Sequence, residues 1–239
     1  MKPKHLALTL LVFIVSIPTI GSTYLLIAGN GQYAPTSSSD PIVAVSPQNT
    51  TMYSTIGTTF TVNITIANTT DLYVWQAGIN FNPTILEALS FEEGAFLTEK
   101  GTTLWTPGTI NNTAGIIRYH ASALAGDTTG ANGNGTLGTI TFKTKAYGKS
   151  DIQLADVILL DSHLTNIDVT LVQGTVEVRI SGDANGDRKV DAHDLLDLGK
   201  AYGSYPSKPN WNPDRDFNGD QKVDSLDLSI LSSNYGKTA

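Results

Sequence analysis

The stretch GDANGDRKVDAHDL, Gly182 to Leu195, sets oxygen-bearing side chains at Asp183, Asn185, Asp187, Asp191 and Asp194. The same arrangement returns in RDFNGDQKVDSLDL, Arg215 to Leu228, at Asp216, Asn218, Asp220, Asp224 and Asp227. Residues 183–203 lie on 216–236 without a gap, and the match runs on through Leu198/Leu231, Tyr202/Tyr235 and Gly203/Gly236. In each copy the oxygens fall at positions 1, 3, 5, 9 and 12 of a twelve-residue loop. Calcium takes about six to eight hard oxygen ligands, and this spacing wraps one ion. Two calcium ions are therefore expected, with Lys189 and Lys222 at position 7 contributing only main-chain carbonyls. A solvated acidic tail has no need of a duplication kept in register.

Val190 and Val223, at position 8, are expected to tie the two loops together. Asp194 and Asp227 are expected to open short amphipathic helices, DLLDLGKAYG and DLSILSSNYG. Position 12 is Asp where a longer Glu closes the EF-hand loop, and position 6 is Arg188 or Gln221 where that loop turns on Gly. Both departures lower affinity, the second through backbone strain, and suit the high calcium outside cells.

The remainder of the chain sets the context. Its 239 residues carry a net charge of −7 with no basic run, which argues against nucleic acid or an anionic membrane as partner. Cysteine is absent, so neither disulfides nor thiol chemistry enters. Lys2, Lys4 and His5 precede the apolar run LALTLLVFIVSIPTI, so residues 1–29 read as a signal peptide or, if uncleaved, a signal anchor. Either places the rest of the chain outside the cell or on its surface. Residues 30–40, NGQYAPTSSSD, read as a spacer. Sequons at Asn49, Asn63, Asn68, Asn111 and Asn134 are candidate glycosylation sites, expected on loops or outward strand faces.

Residues 41–180 are a succession of short β-branched and aromatic runs, such as TTFTVNITIAN, LYVWQAGINFN and GTLGTITFKTKAYG, punctuated by Gly, Asn, Pro and Asp. They predict a mainly β fold, a two-sheet sandwich with one core, and no helix-period segment competes. Only Ser181 and Gly182 separate its last run, TVEVRI, from the acidic repeats.

Two resemblances follow from these residues. The paired loop–helix repeats, with NWNPDRDFNGD between them, resemble the dockerin family over residues 182–239. That resemblance implies a small α module that folds on calcium and docks to cohesin-bearing proteins through its helices. It also implies that positions 10 and 11, here Ala192–His193 and Ser225–Leu226, help select the partner. The sandwich resembles the cohesin family in its GTTFTV strand, its LYVWQ strand, the NFNPTILE turn and the GNGTLGTITF strand. This implies a nine-stranded flattened barrel of jelly-roll type that binds a dockerin-bearing protein on one sheet face, without catalysis.

Other signals yield to simpler readings. GNGTLG fits a dinucleotide-binding pattern, but it opens a strand rather than a helix. Glu87, Glu92 and Glu93 read as rim residues, since Glu92 and Glu93 point to opposite faces if extended. His5, His120, His163 and His193 lack ligand spacing. Trp75 is assigned to the core, whereas Trp105, beside a turn, is the candidate for exposure.

The expectation is a non-catalytic extracellular assembly protein. The alternative is a polysaccharide-binding sandwich delivered by its dockerin. The two-residue junction forbids the dockerin from reaching its own sandwich's docking face, so head-to-tail self-association is open only between copies. A sideways packing of the sandwich on the dockerin also remains open.

Overall fold

The computed structural model describes residues 40–126 and 129–239. The expected signal or anchor segment, and all of the spacer but Asp40, lie outside the described residues. No helix among the described residues is long and apolar enough to cross a membrane.

Eleven strands precede the repeats: β1 (Ile42–Ser46), β2 (Asn49–Tyr53), β3 (Thr59–Asn80), β4 (Leu86–Glu93), β5 (Thr103–Thr106), β6 (Thr109–Asn111), β7 (Ile116–Leu124), β8 (Ala131–Thr144), β9 (Gly148–Asp161), β10 (Thr170–Val172) and β11 (Gly174–Arg179). The count exceeds the nine implied by resemblance because short pieces such as β6 and β10, three residues each, pair separately at the margins.

The organising element is β3. Its alternation buries Val62, Ile64 and Ile66 and turns Thr61, Asn63 and Thr65 the other way. The first half pairs with β1 and β8, and the second with β7 and β9. Asn68 and Asp71 take left-handed φ values of 58° and 59° where the strand bends, a conformation that their short polar side chains tolerate. One strand thereby serves both layers and closes them around a single apolar cluster containing Trp75, Phe91, Ile140 and Phe142.

The sandwich also contains a single helical turn, α1 (Ala95–Thr98), which buries Phe96 and Leu97 over β8. It is too short to show helical periodicity. Trp105 is not exposed but half-buried, its ring 5.8 Å from Trp75 and 6.2 Å from Phe91. Pairing with the buried strand β7 draws β5 inward, so Trp105 faces the core beside Ser122.

Strands β2 and β11 run parallel, and their last rung is Tyr53–Arg179. This rung meets the repeats, which contain α2 (Ala192–Ala201), a 3-10 turn (Pro213–Arg215) and α3 (Ser225–Asn234).

Candidate metal loops and docking surfaces

Each acidic loop is a run of side chains accepting its own backbone N–H groups. At position 1, Asp183 accepts from Gly186 (2.8 Å) and Arg188 (3.0 Å), and Asp216 from Gly219 and Gln221 (2.8 Å each). At position 3, Asn185 accepts from Asp187 and Asn218 from Asp220. At position 5, Asp187 accepts from Lys189 and Asp220 from Lys222, both at 2.9 Å. The chain curls tightly enough to force φ values of 69° at Arg188 and 66° at Gln221, the strain expected of non-glycine residues there.

Position 12 fastens the loop shut. Asp194 accepts from Ala184 (2.8 Å) and Asn185 (3.1 Å) with Oδ1 and from Asp191 (2.8 Å) with Oδ2. Asp227 accepts from Phe217 (2.7 Å) and Asp224 (2.8 Å). The helices begin two residues earlier than the repeats suggested. Asp191 and Asp224 at position 9 are N-caps, accepting from His193 and Leu226, and Asp194 and Asp227 complete capping boxes at the third helical position. Ala192, His193, Ser225 and Leu226 therefore form exposed first turns rather than loop ends. His193 Nδ1 lies 3.1 Å from Asp191 Oδ1.

Asp183 is 1% exposed, and Asp194 and Asp227 are fully buried. Among the described residues, no lysine or arginine forms a salt bridge with Asp183, Asp194, Asp216 or Asp227. Burial raises the Asp183 carboxyl above its ordinary range, and the Asp194 charge adds to this. Burial raises Asp227 as well, with Asp216 adding. Backbone N–H groups lower both but do not cancel the effect. These carboxylates form no salt bridge with lysine or arginine, and with the amide oxygens at position 3 they make an all-oxygen donor set of the kind a hard divalent ion takes. The carboxylate oxygens are not gathered in this structure, where the one three-group cluster within 4.8 Å among the described residues is Asp71, Asp161 and His163.

The valines at position 8 are fully buried in one shared apolar cluster, and their backbones pair across the repeats. Val190 pairs with the segment after α3, through Val190 N–H to Lys237 O (3.0 Å) and Gly236 N–H to Val190 O (2.8 Å). Val223 pairs likewise with Gly203 and Ser204 after α2. Each loop is thus braced by the end of the other repeat's helix. The symmetry breaks one step on. Ala239 N–H donates to Arg188 O (2.9 Å), while its counterpart Pro206 has no N–H to offer Gln221. A cavity of about 420 Å³ opens there, lined by Tyr205, Pro206 and Asp220–Asp224.

Phe217 and Tyr53 were not singled out by sequence reasoning, although Phe217 stands in a polar loop where the first copy has Ala184. Its ring packs edge-on against Tyr53 of β2 at 5.0 Å. On the sandwich, cross-strand rows Leu160–Val74–Ala123–Leu104 and Ile158–Gln76–Ala121–Thr106 cover the face of β9, β3, β7 and β5 opposite Trp75. Glu92 is exposed, and Glu93, half-buried, accepts from Thr103 (3.1 Å) and Ser122. Asn49, Asn68, Asn111 and Asn134 are exposed, while Asn63 is half-buried and accepts from Thr139 (2.9 Å). His120 is buried among aromatics. His163, without ligand spacing in sequence, comes to 4.0 Å from Asp71 and sits near Asp161.

A cohesin domain model matches residues 43–178, more than half of the chain, and a dockerin type I domain model matches 181–234. The chain belongs to the cohesin family and carries a dockerin type I domain behind its cohesin domain. Solved structures similar to it include a non-cellulosomal cohesin from Archaeoglobus fulgidus (14% identity, TM-score 0.48, covering 61% of this chain and 96% of that one). A type II cohesin from Acetivibrio cellulolyticus shares 16% identity at a TM-score of 0.49, covering 57% and 95%. The chain is also similar to a type I cohesin–dockerin complex from Clostridium thermocellum, at 16% identity and a TM-score of 0.47, covering 58% and 99%. Among curated proteins none matches the chain at a significant level. Cohesin and dockerin are non-catalytic interaction modules with a cellulosome-type docking role, and dockerin type I domains bind calcium.

Proposed function

We propose that the chain is a non-catalytic extracellular assembly protein that docks at both ends. In this reading the dockerin holds two calcium ions and plugs into a cohesin-bearing protein, while the sandwich receives a dockerin-bearing one. The observation that carries it is the pair of register-matched loops whose buried carboxylates form no salt bridge with a lysine or arginine among the described residues. When bound, calcium supplies the positive charge that those carboxylates lack.

Asp183, Asn185, Asp187, Asp191 and Asp194 would hold one ion with the Lys189 carbonyl, and Asp216, Asn218, Asp220, Asp224 and Asp227 the other with the Lys222 carbonyl. Asp191 and Asp224 also cap the helices, so closing a loop orients the docking helix behind it. Leu195 and Leu196 on α2, Leu226 on α3, and the C-cap residues Tyr202 and Tyr235 are exposed apolar groups. Ala192–His193 and Ser225–Leu226 differ in charge and size at the first turns, which supports unequal faces. On the sandwich, the β9–β3–β7–β5 face, with one wholly apolar cross-strand row (Leu160–Val74–Ala123–Leu104) beside a mixed one, supports a protein partner. The polysaccharide alternative is less well supported. Tyr119 is the sandwich's one exposed aromatic among the described residues, and binding by stacking needs a row.

Export is supported by the N-terminal segment and by the four exposed sequons, and glycan attachment there is part of this reading. Calcium titration of the full chain followed by calorimetry is expected to give two ions per chain. Capture on immobilised cohesin is expected with calcium and to vanish with EDTA. Capture that survives EDTA, or heat of binding absent at millimolar calcium, would sink the proposal.

A further inference from the structure

We infer that the end of the sandwich is a working part of the dockerin: the Tyr53–Arg179 rung grips both acidic loops, so ion binding in the loops tightens the β2–β11 edge of the sandwich. The inference rests on the reading of the loops as calcium sites and goes beyond it, because docking alone requires no such coupling.

The dockerin's apolar cluster is not self-contained. It includes Ile180 and receives Tyr53 and Tyr147 from the sandwich alongside Ala184, Phe217 and Leu231. Phe217 occupies position 2 of the second loop, and Ala184, its counterpart in the first, belongs to the same cluster. Beyond its packing on Phe217, Tyr53 donates its hydroxyl to the Asp214 carbonyl at 2.8 Å, just before the second loop.

Arg179 reaches the first loop. Its guanidinium is held by Glu177 at 2.8 Å and stands 3.8 Å from Asp214 Oδ2. It lies so close to Gly186 that a Cβ there would come within 2.9 Å of Arg179 Cζ. Gly186 is at position 4 of the first loop, with φ 79°. At the junction, a Cβ on Gly182 would fall 2.9 Å from Leu231 Cα, so the chain enters the dockerin pressed against α3. A linker of Ser181 and Gly182 with this contact leaves the modules little freedom to swing. A loop that changes shape with its ion therefore changes its fit to Tyr53 and Arg179, and coupling of this kind acts equally in both directions.

Hydrogen exchange of the full chain, followed by mass spectrometry in excess calcium and in EDTA, tests the inference. Calcium is expected to slow exchange in Asn49–Tyr53 and Gly174–Arg179 by at least about tenfold, and to leave the remote strand β4 unchanged. Tyr53→Ala is expected to cut that difference to below about threefold while calorimetry still registers calcium. Arg179→Gln, which keeps the first carbons of the side chain but removes the guanidinium, should do the same in part, and it stands in if Tyr53→Ala fails to fold. Protection gained in the loops but not in β2 and β11, or unchanged coupling in both variants, would overturn the inference and leave the calcium reading intact. No protection gained anywhere, with no heat of calcium binding, would overturn both.

Discussion

The sandwich buries 27 apolar side chains in one described cluster, among them Trp75 and Phe142, whereas the dockerin cluster has eight, one of them Ile180 at the junction. The polar side chains that the dockerin buries besides are Ser204 and the carboxylates of Asp183, Asp194 and Asp227. A module of under about 70 residues seldom draws enough stability from apolar burial alone and needs a staple such as metal. Its buried carboxylates make matters worse until a cation arrives. The comparison teaches that two modules two residues apart can rest on opposite physics, one on a broad apolar core and the other on a small apolar cluster with buried carboxylates, which in the proposed reading a cation neutralises.

The largest effect follows directly. EDTA, or Asp183→Ala combined with Asp216→Ala, is expected to abolish the folded dockerin while the sandwich core persists. Amide spectra of the full chain check this, since resonances of 183–236 should collapse to random-coil positions and those of β3 and β8 should not. The converse is Trp75→Ala, which empties the sandwich core and is expected to cost about 3–5 kcal/mol there. Urea unfolding in excess calcium measures it, with calcium binding by the dockerin retained. If the dockerin were lost as well, the two modules would form one cooperative unit and the contrast would fail.

This contrast explains what could be read in the sequence. The loops were legible because their ligand candidates are spaced along the chain itself, and β3 because its alternation is local. The helix starts were misplaced by two residues since Asp191 and Asp224, counted only as loop oxygens, also serve as caps. Trp105 was misjudged because its burial depends on pairing with β7, and a turn beside it in sequence carries no information on that. The Tyr53–Phe217 contact joins residues 164 positions apart, and neither strand periodicity nor loop spacing encodes it. Only the departure of Phe217 from Ala184 in the repeat hinted that something must cover it.

A middle-sized effect separates the modules by pH. His120 is 3% exposed, its ring 4.4 Å from that of Phe91, and burial pushes its imidazole down to about 4. Between that value and an unfolded value of about 6.5 the unfolded chain takes up a proton that the folded sandwich refuses. Sandwich stability is thus full above about pH 6.5 and falls with acidification, by up to about 3 kcal/mol at pH 4. The dockerin has the opposite sign. Burial raises Asp183 and Asp227, so the calcium-free fold binds protons more readily than the unfolded chain and is least stable when both are charged. Acidification in EDTA, into the range where these carboxyls take up protons, should therefore restore part of the dockerin's helix signal while lowering the sandwich's melting midpoint. Circular dichroism follows the dockerin helices, and fluorescence of Trp75 and Trp105 in a Trp211→Phe background follows the sandwich; His120→Phe should flatten only the second slope.

The smallest effect turns the comparison inward, to the two repeats. Gln221 and Arg188 share position 6 and nearly the same left-handed φ, so glycine at either relieves the same backbone strain. Gln221 is exposed, and Gln221→Gly is expected to stabilise the calcium-bound dockerin by about 0.5–1 kcal/mol. Arg188 instead reaches the sandwich, lining a cavity of about 80 Å³ with Tyr147, Gly148 and Arg179, so Arg188→Gly removes contacts along with strain. The gain there should be near zero. Calcium titrations of the two variants measure the difference, and equal gains would mean that the sandwich contributes nothing to the first loop.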